Sequence, residues 1–182
     1  EAALYGTKVK PGQRTALHTS GRTVALTGWR GTDPAGMRLA LLQDLARGLL
    51  HQAHSGAALP SWVTDGFAVW LARGSELGGT LDRSLRPVAL QALRGGSDVR
   101  PILVPSADAA WSGPETVRLA VSYLAVDFVI AERPRQFGAW IAAMKAGRSL
   151  DDASRSALGS GATQLMQAVV NWYRTNDGVL RR

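Results

Sequence analysis

The spacing of apolar residues changes near residue 33, from the pattern of short strands to the three- and four-residue steps of amphipathic helices. Before that point, residues 16–18 and 23–27 flank a short polar link that contains Gly21, a pattern typical of a β-hairpin. Residues 3–5 are a further strand candidate. Because strands come first and helices follow, the sequence predicts an α+β fold, in which a small N-terminal antiparallel or mixed sheet precedes a mainly helical part.

The helical pattern continues to the end of the chain and predicts six or seven helices. Ser61 is a predicted N-cap, Gly74 is a predicted helix end, and Ser149 with Asp152 has the spacing of a capping-box start. Two stretches rich in Gly or Pro, residues 74–86 and 97–114, are predicted as irregular. The helices are expected at about residues 33–54, 62–73, 88–94, 119–131, 137–147, from 149 onward, and 165–173.

Length and composition are those of one globular domain, which we expect to span residues 1–182. The chain is 46% hydrophobic and 19% charged, which is inconsistent with a mainly disordered protein. No apolar run is long enough to predict a transmembrane helix. Cysteine is absent, which excludes disulfides, thiolate metal sites and a thiol nucleophile.

The chain is basic, with a net charge of +7, and 18 of its 21 basic residues are arginine. This bias, together with abundant Ala and Gly, is typical of a bacterium with a GC-rich genome. The arginines are scattered, and the longest basic cluster is Arg181–Arg182, so the pattern argues against a nucleic-acid interface. Binding to an acidic polymer stays open as an alternative.

The most specific motif is the segment 59–71, LPSWVTDGFAVWL. It resembles the P-x-W-x-x-E-G-x-A-x-Y element of the gluzincin zinc peptidases, in particular the bacterial peptidase MA-like family. Residues 123–130, 137–144 and 146–153 resemble the C-terminal helices of that family, including its G-x-(S/D)-L-(D/E)-x-A turn. The resemblance covers nearly the whole chain and implies a zincin-like fold.

The residues that would bind zinc in this family are replaced. The resemblance places the H-E-x-x-H motif on Gln43-Asp44-Leu45-Ala46-Arg47, and places the third zinc ligand, a Glu, at Asp65. Gln43 is a poor ligand, and Arg47 is a fixed cation with no lone pair to offer a metal. The resemblance therefore implies a degenerate site at Gln43, Asp44, Arg47 and Asp65, with no catalytic residue and no cofactor.

A guanidinium can take the place of the metal charge in such a site. Asp44 and Arg47 are three residues apart on the predicted helix and face the same way, and Asp65 would arrive from the next helix. The alternative is that Asp44 and Arg47 form a solvated surface pair. If the guanidinium replaces the metal, the chain is a catalytically inactive peptidase-like domain. Such a domain would act as a binding or assembly module for a protein or peptide partner.

An active zinc peptidase that uses His51, His54 and Asp65 is the alternative. These two histidines are three residues apart, whereas the family spacing is four, and Asp65 follows His54 by only eleven positions. Two histidines near a helix end are also favoured there by the helix dipole, without any metal.

The remaining expectations concern the aromatic residues, a strand edge and the location of the protein. Six aromatic residues at helical spacings are expected in the core, whereas Trp29 and Trp111 are candidates to line a groove. By analogy with active relatives, the strand 23–27 would hold an extended peptide. The family and the lack of cysteine suggest the cell envelope or an extracytoplasmic location. The six core candidates are Trp62, Trp70, Tyr123, Phe128, Trp140 and Trp172.

Overall fold

The computed structural model describes residues 16–20, 23–27, 45–46, 48–50, 57–74, 78–106 and 110–175. Two strands, β1 (Ala16–Ser20) and β2 (Thr23–Thr27), pair in antiparallel register with Ala16 opposite Thr27. Residues 45–46 and 48–50 are helical. The remaining elements are seven helices: α1 (Ser61–Arg73), α2 (Gly78–Arg94), α3 (Arg100–Leu103), α4 (Glu115–Glu132), α5 (Pro134–Lys145), α6 (Leu150–Leu158) and α7 (Ala162–Thr175).

The fold in the described residues is predominantly helical, so the predicted α+β, zincin-like class is wrong. The first thirty residues have strand periodicity, but β1 and β2 form only a two-stranded ribbon. A ribbon of two strands does not provide a layer on which helices can build a core. The folded core consists instead of helices packed on helices.

Helix α4 is the centre of that core. Every residue from 120 to 129 is buried, so the helix is enclosed on all sides, as its apolar composition predicts. Helices α1 and α2 make the most extensive contacts with it, and α5, α6 and α7 complete the bundle. None of the described helices, including the apolar α4, is long and apolar enough to cross a membrane.

Helices α1 and α4 run in the same direction. Asp65 pairs with Arg118 near their N-terminal ends, and Arg73 pairs with Asp127 nearer their C-terminal ends. The two backbones approach closely where Gly66 faces the main chain of Ser122, because glycine has no Cβ atom. A Cβ atom at residue 66 would overlap the Ser122 carbonyl oxygen. The two helix N-termini therefore lie at the same end of the bundle.

Several predicted boundaries are confirmed. Ser149 caps α6 by accepting a hydrogen bond from the Asp152 backbone N–H at 3.1 Å, and Gly74 follows the last residue of α1. The predicted cap at Ser61 is wrong, since Pro60 occupies the N-cap position and Ser61 begins the helix.

One predicted loop is in fact mostly helix. Residues 74–86 were expected to be irregular because of their glycines, but α2 begins at Gly78 and continues through Pro87. Apolar residues at three- and four-residue steps, including Leu85 and Ala89, bury one face of α2. That burial outweighs the loss of a helix hydrogen bond at the proline. The stretch 97–114 contains only the short helix α3, and its other described residues are irregular, as predicted.

Candidate binding site

Only one of the predicted site residues lies in the described part of the chain. Gln43, Asp44, Arg47, His51 and His54 all fall outside the described residues. The degenerate zinc motif and the alternative ligand pair thus remain predictions. Asp65 is described, on the second turn of α1.

Asp65 forms an ion pair with Arg118, an arginine that the sequence analysis did not identify, whereas Arg47, the predicted partner, lies outside the described residues. Oδ2 of Asp65 lies 2.8 Å from Nη1 of Arg118, and the side chains are 14% and 22% exposed. Arg118 also donates to Glu115, from Nε to Oε2 at 2.8 Å and through a second bond from Nη2 to Oε1. One guanidinium therefore bridges two carboxylates, the half-buried one of Asp65 and the exposed one of Glu115, whose side chain is 72% exposed.

This arrangement fixes the charge states of the group. The hydrogen bonds from Arg118 hold the pKa of Glu115 below its usual value, and the same bonds raise the pKa of Arg118. Glu115 and Arg118 are therefore oppositely charged at neutral pH.

Both helices at this end begin without a side-chain cap. Pro60 is the N-cap of α1 and Pro114 is the N-cap of α4, and neither has a side chain that could accept from the first-turn N–H groups. Because α1 and α4 are parallel, the positive ends of their dipoles lie on the same side of the bundle. Glu115, in the first turn of α4, partly compensates that positive potential.

A cleft of about 400 Å³ opens at the same end of the bundle. Its size falls in the usual range for ligand pockets. Trp111 was expected to line a groove, and this is confirmed. Trp29, the other candidate, lies outside the described residues. The cleft is lined by Ser61, Trp62, Pro101, Ile102, Pro105, Ser106, Ala110, Trp111 and Arg118.

Trp62, which lines the cleft, has an unsatisfied polar atom. The residue is only 3% exposed, and its Nε1 is buried without an acceptor among the residues that the structure describes. By contrast, Nε1 of Trp111 donates to the Pro114 carbonyl at 3.2 Å, and Nε1 of Trp140 donates to Ser154 Oγ at 3.0 Å. A buried N–H without a partner costs about 1–3 kcal/mol.

A second polar cluster, not identified from the sequence, joins α1, α2 and α4. Arg73 Nη1 lies 3.0 Å from Asp127 Oδ1, and Arg86 Nη2 lies 3.3 Å from Asp127 Oδ2. Arg86 also pairs with Asp82, one turn earlier on α2, at 2.9 Å. The Tyr123 hydroxyl accepts from both arginines, at 3.2 and 3.3 Å, and donates to Asp82. The cluster is neutral overall, with two cations and two carboxylates.

Two sequence signals could have indicated this cluster. Tyr123 and Asp127 are four residues apart in the otherwise apolar helix α4, and Asp82 and Arg86 have the same spacing in α2. A buried carboxylate requires a partner, and Asp127 is only 3% exposed. What the sequence does not show is that Arg73 and Arg86, from two other helices, converge on it.

The cluster raises the pKa of Tyr123 to about 12. Burial is the main cause, and the hydrogen bond to Asp82 adds to it, while Arg73 acts in the opposite direction. The pKa of Asp82 is below its usual value, because hydrogen bonds from Arg86 and Tyr123 outweigh the opposing effect of burial. Tyr123 is therefore neutral at pH 7 and acts as a hydrogen-bonded link rather than as a base or nucleophile.

The described residues do not form a metal site. Among them, no group of three or more His, Cys, Asp or Glu side chains could hold an ion. Asp65, which the resemblance makes a zinc ligand, instead has a guanidinium next to its carboxylate.

No protein-family model, curated protein or solved structure matches this chain.

Proposed function

We propose that this chain is a non-catalytic relative of the peptidase MA-like zinc peptidases, serving as a binding module for a protein or peptide partner. The observation that supports this most directly is the 2.8 Å ion pair between Asp65 and Arg118. By the resemblance, Asp65 stands where the third zinc ligand would be, and a fixed cation next to it opposes the approach of a second cation. The proposal rests on the sequence resemblance and on the chemistry at Asp65, and it draws no support from the fold, since the predicted α+β class is wrong.

The cleft supports a binding role. It combines apolar walls with a few polar groups, namely Arg118, Ser61 and Ser106, which is the usual composition of a ligand site. It adjoins the ion pair between Asp65 and Arg118, because Arg118 contributes to both. The bacterial cell envelope is the proposed location, on the sequence arguments given above.

Metal analysis of the purified protein tests the proposal. The protein is incubated with an equimolar amount of zinc and desalted, and its metal content and its hydrolysis of a mixed peptide library are then measured. We expect far less than one zinc per chain and no cleavage products, because Arg118 neutralises Asp65. The variant His54→Ala should behave like the wild type in both measurements.

Retention of one zinc per chain that is lost in His54→Ala, together with zinc-dependent cleavage, would refute the proposal. That pattern would establish the alternative, an active peptidase that uses His51, His54 and Asp65. The variant Glu132→Gln is a suitable control, because it removes one charge from an exposed residue at the C-terminal end of α4, whereas Arg118 lies near the N-terminal end of that helix.

A further inference from the structure

We infer that the cleft between the N-terminal ends of α1 and α4 binds a peptide that presents a carboxylate beside an apolar side chain, and that Glu115 occupies the carboxylate position on Arg118 in the free protein. This inference deepens the proposed function and rests on it. It names the ligand class of the same site.

Two features of this end of the bundle suit a ligand carboxylate that takes the place of Glu115 on Arg118. Two parallel helices direct their uncapped first turns toward the same side, and Arg118 lies between them with a guanidinium suited to bidentate contact with a carboxylate. The net charge of +7 adds a long-range attraction for acidic ligands.

The two carboxylates that now contact Arg118 are not equivalent. Asp65 lies on the second turn of α1 and its side chain is 14% exposed, so it holds the guanidinium from the protein side. The Glu115 side chain is 72% exposed and contacts the same guanidinium from the solvent side. Because an exposed ion pair of this kind contributes little free energy, a ligand carboxylate can replace Glu115 while Asp65 keeps Arg118 in position.

The rest of the cleft selects a peptide rather than a small anion. Pro101, Ile102, Pro105 and Trp111 supply apolar walls beside Arg118 that a side chain can cover. A carboxylate beside an apolar side chain describes the C-terminal residue of a peptide.

The test uses the full chain and two probes, an N-acetylated tetrapeptide ending in a C-terminal leucine and the same peptide with a C-terminal amide. Binding is followed by isothermal titration calorimetry and by tryptophan fluorescence. We expect the free acid to bind roughly tenfold more tightly than the amide, because only the acid makes charge-assisted bonds to Arg118. Its affinity should fall as salt is added.

Glu115→Gln is the diagnostic variant. Removing the competing carboxylate should raise the affinity for the acid by about two- to fivefold and leave the affinity for the amide unchanged. The matched control Glu132→Gln, at the other end of α4, should change neither. If Glu115 has only a structural role, Glu115→Gln should lower the midpoint of thermal unfolding without strengthening the binding of the acid.

Three results would overturn the inference: equal affinity for acid and amide, competition by acetate ion at the same concentration as the peptide, or weaker acid binding by Glu115→Gln. If the peptide does not bind and zinc is also not retained, this ligand class is wrong while the non-catalytic proposal stands. If mass spectrometry shows that the peptide is cleaved with zinc, the proposed function itself is wrong.

Discussion

At the scale of single residues, the stability of the domain depends strongly on Asp127. This carboxylate is almost fully buried in the centre of the bundle and accepts from Arg73 and Arg86, which come from two different helices. Each oxygen has an arginine partner, so the cost of burying the charge is met by hydrogen bonds. Tyr123 connects the same arginines to Asp82. Because the group contains two arginines and two carboxylates, it has no net charge.

Replacing Asp127 with Asn should destabilise the protein severely. The substitution leaves two partly buried guanidinium groups facing a neutral amide, and removing one partner of a buried pair costs about 3–5 kcal/mol. Chemical denaturation followed by circular dichroism measures the change in free energy of unfolding. The control is Asp98→Asn, at an exposed pair with Arg100, which should leave the unfolding midpoint nearly unchanged. Equal effects of the two substitutions would contradict the role assigned to Asp127.

At the scale of elements, the close approach of α1 and α4 depends on Gly66. A Cβ atom there would overlap the main-chain carbonyl of Ser122 and would lie 2.7 Å from Cγ2 of Val126. The glycine of the Asp65-Gly66 motif therefore has a packing reason in this structure, independent of any catalytic one. It also sets the distance at which Asp65 meets Arg118.

Gly66→Ala should lower stability, although alanine is normally favoured over glycine inside a helix. The added methyl group would push α1 away from α4, and overpacking of this kind costs about 1–3 kcal/mol. The matched control is Gly138→Ala in α5, where a Cβ atom would meet nothing within 4 Å. That variant should gain about 0.5–1 kcal/mol. A thermal melt of both variants that showed the same sign of change would contradict this account.

At the scale of the whole molecule, the bundle is held together around one apolar helix with a polar cluster at its side. The core is continuous among the described residues from α1 to α7, and the cluster of Arg73, Asp82, Arg86, Tyr123 and Asp127 joins three of its helices. Tyr123 is fully buried, and its hydroxyl donates a hydrogen bond to Asp82. Ionisation of this hydroxyl should therefore lower the stability of the whole bundle.

The stability of the protein should therefore fall as the pH rises from 10 to 12. The pKa of Tyr123 is about 12 in the folded protein and about 10 in the unfolded chain, so the unfolded state loses its proton first. A group whose pKa is raised on folding contributes stability that is complete below its unfolded pKa and is lost toward its folded pKa. For this shift the loss amounts to about 2–3 kcal/mol.

Denaturation curves measured at intervals from pH 8 to 12 test this dependence. Burial also raises the pKa of Tyr173, so its contribution has the same sign and should persist in a Tyr123 variant. Tyr123→Phe should be less stable at neutral pH, because it loses the hydrogen bond to Asp82, but its decline above pH 10 should be shallower. Identical slopes for the variant and the wild type would show that Tyr123 does not titrate in this range.

Most local features were predictable, and most of the site was not. Helices α1 and α4 to α7, the cap at Ser149 and the end at Gly74 follow from periodicity and capping chemistry, which act between residues close in the chain. The α+β class failed because strand periodicity in the first thirty residues indicates a hairpin but does not determine whether it becomes a layer of the core. The loop predicted at 74–86 failed because burial of one face of α2 outweighed the signals of its glycines and Pro87.

The sequence by itself determined where most of the helices after residue 61 form, with the exception of the first half of α2 and the short helix α3, and it also determined which faces are apolar and that Asp65 belongs to an unusual motif. Only the tertiary structure decided that α1 and α4 lie parallel, that Arg118 meets Asp65, and that Arg73 and Arg86 share Asp127. The physical reason is the range of the forces involved. Hydrogen bonding and side-chain periodicity within a helix are local, whereas a buried charge is satisfied by whichever opposite charge the packing of distant helices brings within reach.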